Sequence, residues 1–408
     1  MVTFANNQRL TSVEGNAPLG RMIRENYWVP FARSESVVFG QPPERVRLLG
    51  RNLVAFRADN GRLGLVDEHC PHRRASLALG RVEGCSIRCI YHGWRIDGSG
   101  QVAEVPSEGE RSDAFAARIK TNRYHVREGG GLIWAFMGTG EPPELPPLPF
   151  MQVPATSRWW SRMRVKCNWL QGFEGALDSV HLNWLHQGWP REGQDFTPRL
   201  PPDYEIEETS YGLRTAAIRK DADMQHIRVA EFIAPFYAFS ASRQPAITTD
   251  NSVFISVPVD DETHLLFFGF WDKAGPLHDV SAHFSSDLDP NDLITGEFVP
   301  GNSWGQDREA MAQGHFSGLT ASVLHEDVAV QVSMGPIVDR SQENLCSTDL
   351  AIVRMREFLL AMLDDFEIGR QVDGAMQAFR AEGNLPLGCS VPADCDWRTI
   401  STRGPVEA

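Results

Sequence analysis

Two short motifs constrain this chain more than anything else in it: Cys70-Pro71-His72 and, after sixteen intervening residues, Cys89-Ile90-Tyr91-His92. Each stands where a strand-like run gives way to a turn, so two loops can present two thiols and two imidazoles to one centre. A single cysteine or histidine is most simply a buried thiol or a surface ring. Two such pairs together invite a metal. Zinc accepts a Cys2His2 set, although the one-residue gap in the first pair is tighter than its usual two to four, and Cys85 stands near enough in sequence to enter such a set. A 2Fe–2S cluster with two cysteines on one iron and two histidines on the other suits the order better, because each loop then gives one ligand to each iron. Imidazole in place of thiolate also raises the reduction potential, which lets such a cluster take electrons from a flavin or ferredoxin.

The remainder reads as a two-domain chain of globular composition. Its 408 residues ask for two or three domains at roughly 150 residues each. Residues 141–149, EPPELPPLP, hold five prolines and fit neither a helix nor a central strand, so they divide an expected domain 1–149 from an expected domain 150–408. Before the boundary, Val46–Leu49, Leu53–Phe56, Leu63–Val66, Ile87–Ile90 and Leu132–Phe136 are strand-like and separated by Gly, Asn and Asp turns, an antiparallel β unit. After it, residues 168–187 read as helix up to a point, and Leu213–Ile218, Ile227–Ile233, Val253–Val257 and Leu265–Phe270 as strands. Asp349–Arg370 is an amphipathic helix, capped by Ser347 or Thr348 and stopped by Gly369. The last twenty residues are expected to be a loose tail. The fold class is therefore α+β.

Charge and cysteine usage exclude several functions. The net charge of −14 speaks against nucleic acid and anionic membranes, both of which need a basic face. No apolar run approaches the roughly 20 residues of a membrane helix, and the first residues lack a signal-peptide pattern, so a cytoplasmic protein is expected. Seven cysteines are an odd number and no disulfide framework. Cys70 and Cys89 are expected to hold metal, leaving Cys85, Cys167, Cys346, Cys389 and Cys395 as free thiols.

A second constellation lies in NWLQGFEGALDSVHLNWLHQGW. Asp178 and His181 are three apart and would share a helix face. His181 and His186 are five apart, about 140° around an ideal helix, so aiming both at one ion requires the helix to end or to carry a π-type widening. Two histidines need a carboxylate to form the facial triad of non-haem iron(II), which leaves positions open for dioxygen. Glu326, Asp327, Asp339 and Asp349 are the downstream candidates, Asp327 in HEDVAVQ being also a possible helix cap. An electron-transfer cluster and an open iron site answer one need, since dioxygen is inert to organic molecules until iron binds it and electrons arrive.

The stretches RENYWVP, VRLLG, LVAFR, DEHCPHRRASLALG, YHGWRIDGSG, CNWLQGFEGALDSVHLNWLH and HEDVAVQ run through nearly the whole chain. With them it resembles the oxygenase α subunit of Rieske non-haem iron aromatic ring-hydroxylating oxygenases, in the branch with phthalate 4,5-dioxygenase and phenoxybenzoate dioxygenase. The resemblance implies an N-terminal antiparallel β Rieske domain, its cluster core at about 40–140, and a C-terminal helix-grip catalytic domain. It puts a 2Fe–2S Rieske cluster on Cys70, His72, Cys89 and His92, and a mononuclear Fe(II) on His181, His186 and Asp327. Asp178 matches an aspartate that bridges an iron histidine of one subunit to a cluster histidine of its neighbour, because electrons cross subunits in a head-to-tail homotrimer, single or stacked as a hexamer. An NAD(P)H-dependent flavin iron–sulfur reductase is the implied partner. The substrates implied are aromatic acids such as phthalates or phenoxybenzoates. A carboxylate needs a cation or several donors, and Ser179, Arg219, Arg228 and Arg243 are the candidates. cis-Dihydroxylation is the leading reaction and O-demethylation of a methoxylated acid the alternative. Outside this class stand a zinc-stabilised binding protein and an electron carrier, the latter needing only residues 40–140.

Overall fold

Short strands joined by tight turns build the smaller of two units, Ser12–Leu145 with Pro258–Asp260, and one long sheet builds the larger, Met1–Thr11 with Pro146–Val257 and Asp261–Ala408. This computed structural model describes residues 2–188, 200–241, 251–277, 293–294, 298–372, 379 and 386–400. The fold class expected from the sequence, antiparallel β followed by sheet plus helix, is what the chain adopts.

The smaller unit holds three antiparallel sheets. Val29–Arg33, Leu132–Phe136 and His125–Gly129 form one. Glu44–Leu48, Arg51–Arg57 and Leu63–Asp67 form a second, and Arg81–Glu83, Ser86–Arg88, Arg95–Asp97 and Val102–Glu104 a third. Val54, Phe56, Val66, Leu77, Ile87, Trp94 and Ile96 share a core with Cys70 and Cys89, so both thiols point inward from their turns. Gly64 is required at its position: a Cβ there would meet the Phe56 ring at 2.5 Å.

The larger unit carries a nine-stranded sheet among the described residues. Asp203–Thr209, Gly212–Asp221, Met224–Ile233, Tyr237–Ala241, Asn251–Pro258, His264–Trp271 and Arg158–Val165 follow one another across it, and Leu293–Ile294 pairs parallel with the last. The ninth strand corrects the sequence reading. Leu387–Pro392, where the expected loose tail begins, pairs antiparallel with Met224–Ile233, and Trp397 beyond it is 2% exposed, packed with Ile227 and Val229. Pro, Ser and Asp made this stretch look unstructured, but one edge strand and one buried indole suffice to fasten it.

Three helices position the chemistry. Trp169–Leu177 starts where the Asn168 side chain accepts from Leu170 N–H, and it packs on Tyr237–Ala241, His264–Trp271 and the helix Val323–Ser333. Val323–Ser333 is capped by Ser322 and buries Leu324 and Val328 against Met163, Val165, Leu266 and Phe268. Asp327 is thus inside a helix and not its cap. Leu350–Glu367 is the expected amphipathic helix, with Met355, Leu359 and Leu363 fully buried. A 3-10 turn at Ser347–Asp349 leads into it, and Gly369, at φ 78°, ends it.

Candidate metal centres

The two Cys-His motifs fold as matched loops. Cys70 N–H donates to Ala75 O at 2.9 Å and Arg74 N–H returns to Cys70 O at 3.0 Å. Cys89 N–H donates to Trp94 O at 2.8 Å and Gly93 N–H returns to Cys89 O at 3.0 Å. The fifth residue of each loop has positive φ, 63° at Arg74 and 73° at Gly93. Both cysteines are buried, while His72 is exposed and His92 half-buried, so the thiols form the floor and the imidazoles the rim. The histidine rings meet edge to face at 4.5 Å, and His72 stacks on Trp94 at 4.8 Å. Burial, and then the Cys89 thiol beside it, push the Cys70 thiol up to about 11, against the backbone N–H groups of His72 and Arg73. Trp94 Nε1 is buried with no partner among the described residues, an unused donor beside the loops. Two thiols, two imidazoles and a spare donor fit a Rieske cluster. Cys85 is exposed and accepts from Asn60 Nδ2, so it is not drawn into the set.

In the larger unit the α-helix ends at Leu177 and the chain turns at Asp178. The Asp178 carboxylate accepts from Val180 N–H at 2.7 Å and His181 N–H at 3.2 Å, then lies 3.2 Å from His181 Nδ1. The expected neighbourhood of Asp178 and His181 therefore exists, but through a turn and not a shared helix face. A short α-helix, His181–Trp184, tightens into a 3-10 turn at Leu185–Gly188. No π-type widening is needed: the α-helix ends between the two histidines, and their rings lie 5.2 Å apart. Asp327 Oδ1 is 3.2 Å from His186 Nε2 and 3.5 Å from His181 Nε2. One ligand atom from each of the three lies within 4.8 Å of the others, a grouping of the kind that holds a metal.

The histidines' other nitrogens also face carboxylates, His181 Nδ1 toward Asp178 and His186 Nδ1 toward Glu326 at 2.6 Å. With Nδ1 as the donor in both, each Nε2 lone pair is left for an ion. Burial alone would lower the His186 imidazole, yet Asp327 and Glu326 hold it up at about 9. Burial would likewise raise Asp327, but His186 and then His181 bring it below its ordinary range. Two imidazoles and one carboxylate around a partly open position match the donor set of non-haem iron(II).

The other candidates separate. Asp339 and Asp349 serve turns, accepting from Ser341 N–H and Cys346 N–H. Ser179 N–H donates to Tyr204 Oη, and Arg219, fully buried, donates to Ser179 Oγ, Ser179 O and Leu200 O. Arg219 is thereby engaged in holding the turn ahead of His181. Arg228 is buried, its Nε bonded to Ala241 O, and burial lowers its guanidinium to about 10. Arg243 lies outside the described residues. Sequence reasoning missed Tyr204 and Ser317, which carry no motif of their own, and named Glu326 only as a possible ligand. Trp94 lies in the quoted stretch YHGWRIDGSG, but that its indole donor lacks a partner among the described residues is visible only in the fold.

Comparison with known proteins gives the family and its two cofactors. The Rieske [2Fe-2S] domain family matches residues 27–123, and the family described as LigXa C-terminal domain like matches residues 135–407. The phthalate 4,5-dioxygenase oxygenase subunit of Pseudomonas putida is 35% identical over 99% of this chain and 95% of its own. The 5,5'-dehydrodivanillate O-demethylase oxygenase subunit of a Sphingobium strain is 32% identical over 95% of this chain and 86% of its own. In fold, the chain is similar to the terminal oxygenase of carbazole 1,9a-dioxygenase from Nocardioides aromaticivorans, with a TM-score of 0.58 at 17% identity over 86% of this chain and 96% of that one. This chain belongs to the Rieske non-haem iron oxygenases, as the terminal component of an aromatic ring-hydroxylating or demethylating system that carries a Rieske 2Fe–2S cluster and a mononuclear iron.

Proposed function

We propose that the chain cis-dihydroxylates an aromatic carboxylic acid of the phthalate or phenoxybenzoate type, with electrons from an NAD(P)H-dependent flavin iron–sulfur reductase. Cys70, His72, Cys89 and His92 would hold the cluster, and His181, His186 and Asp327 the iron. When bound, these groups supply one-electron transfer and activation of dioxygen. The convergence of His181, His186 and Asp327 on one point carries the reading.

The chain's own residues prepare that point. Asp178 fixes the His181 ring and the turn before it, and Arg219 clamps the same turn through Ser179. We assign Asp178 the further task of bridging to a cluster histidine of the neighbouring subunit in a homotrimer, single or stacked. With Arg219 engaged internally, Arg228 is the better described candidate for the substrate carboxylate, since desolvation strengthens a buried guanidinium's hold on an anion. No helix among the described residues is long and apolar enough to cross a membrane, and we keep a cytoplasmic site of action as part of the proposal. We keep the domain boundary at residues 141–149.

Product analysis decides the reaction. The purified oxygenase with a supplied reductase is given phthalate, 3-phenoxybenzoate and a methoxylated benzoate under labelled dioxygen. A cis-diol with both oxygens labelled is expected. Demethylated acid with formaldehyde instead favours the alternative, for which the demethylase relative speaks. Reductant consumption without either product on any acid would overturn the substrate class.

A further inference from the structure

Glu326 is fully buried and is not needed as a ligand in the triad of His181, His186 and Asp327. Its helix, Val323–Ser333, advances about 100° per residue, so Glu326 and Asp327 reach out on different sides and grip one imidazole. Glu326 Oε2 lies 2.6 Å from His186 Nδ1, and Asp327 Oδ1 lies 3.2 Å from His186 Nε2. Behind Glu326 the arrangement continues: Ser317 Oγ donates to Glu326 Oε1, and Leu319 N–H donates to Ser317 Oγ at 3.1 Å. Ser317 is itself 6% exposed. A buried carboxyl group with both oxygens engaged has no freedom to turn, and the ring it holds has none either.

We propose that Glu326, locked by Ser317, is a positioning residue for the mononuclear iron: it fixes His186 in the tautomer and orientation that present Nε2 beside Asp327. The inference rests on reading His181, His186 and Asp327 as the ligands. A histidine ligand commonly gives its other ring N–H to a carboxylate, which orients the ring and makes it more basic, and losing that partner costs 10–100-fold in affinity or activity. Both histidines have such a partner here, but of different kinds. Asp178 also shapes a turn and is half-buried, whereas Glu326 is sealed from solvent and tied to one serine.

Iron retention tests this without turnover. Holoprotein is stripped of mononuclear iron by a chelator while the visible absorption of the cluster is kept, then titrated with Fe(II) against a competing chelator. Nitric oxide is added to read the resulting paramagnetic resonance signal. Glu326→Gln keeps the shape and removes the negative charge. It is expected to bind Fe(II) about 10–100-fold more weakly than wild type, with altered rhombicity of the nitrosyl signal and unchanged cluster absorption. Ser317→Ala should move affinity the same way by less than tenfold. Asp327→Ala should abolish binding. Wild-type affinity and signal in Glu326→Gln would overturn the positioning role. Wild-type affinity in Asp327→Ala would instead overturn the ligand assignment, and the inference with it. If Glu326→Gln does not fold, Ser317→Ala decides, and unchanged Fe(II) affinity there overturns the proposal.

Discussion

At the scale of single residues, this chain uses buried histidine in two opposite ways. His186 is held between two carboxylates and kept basic. His264, fully buried, has only the Cys167 carbonyl on Nδ1 at 2.8 Å, and its Nε2 has no partner among the described residues. Gly172 makes room for it, since a Cβ there would come within 2.4 Å of Nε2. Burial pushes the His264 imidazole down to about 4, with the Cys167 carbonyl resisting weakly. Its folded value lies below its unfolded value of 6.5, so the unfolded chain binds the extra proton. Stability is therefore whole above pH 6.5 and declines as pH falls toward 4, by roughly 3 kcal/mol if the full difference is expressed. Denaturant midpoints measured between pH 4 and 7 should fall less steeply for His264→Asn than for wild type. Parallel slopes would mean that His264 is protonated in the native state. Arg219 teaches a related lesson: its sequence marks it as a cation in a strand, and only its three contacts show that it braces Ser179.

Among the elements, the paired loops are the most telling. Their identical backbone closures mean that Cys70 and Cys89 occupy equivalent places, and the single extra residue before His92 lets the two imidazoles meet. Gly93 stands at φ 73° with Pro106 Cγ only 3.2 Å from where a Cβ would be. Gly93→Ala should cost about 1–2 kcal/mol, seen as a lower temperature for bleaching of the cluster and reduced iron and sulfide content. Full cluster content at an unchanged bleaching temperature would count against it. These strands are legible in the sequence because short apolar runs bounded by turn residues are local signals: Leu132–Phe136 is a strand with the expected bounds, and the other expected runs differ by a few residues at their ends. Gly369 was legible as a stop for the same local reason. The edge strand Leu387–Pro392 was not, because its pairing with Met224–Ile233 is a long-range choice. The periodicity of HEDVAVQ does not by itself say which of its two acids turns toward both Nε2 atoms; the family resemblance picks Asp327, and Asp327 Oδ1 is the one that lies beside them. Adjacent helix residues differ by a rotation whose origin is set elsewhere, here by Leu324 and Val328 in the core.

On the scale of the whole molecule, the helix Phe4–Thr11 belongs with residues far down the chain. Asn7 donates to Val338 O and accepts from Arg340, while Leu10 O and Thr11 O accept from Trp169 Nε1 and Asn168 Nδ2, at the start of the helix that leads to Asp178. Arg340 and Arg356 converge there on Glu174, a buried ionic cluster in which a lost partner is expensive. Deleting residues 2–11 should leave buried donors unmade at about 1–3 kcal/mol each. The variant should keep its cluster absorption yet bind Fe(II) more weakly; unchanged Fe(II) affinity would show that the helix is dispensable. The sequence separation of 331 between Asn7 and Val338 has a further bearing on how the chain is made. At about 5–20 residues per second, a ribosome needs roughly 15 to 70 s to reach Val338 after Asn7 has emerged. Asn168 and Trp169 emerge about halfway through that interval, but Val338 and Arg340 come only at its end, when all of Ser12–Leu145 is already out. A helix made well before its partners is thus seated late, and the helix that leads to Asp178 is fully braced from below only once residue 340 has emerged.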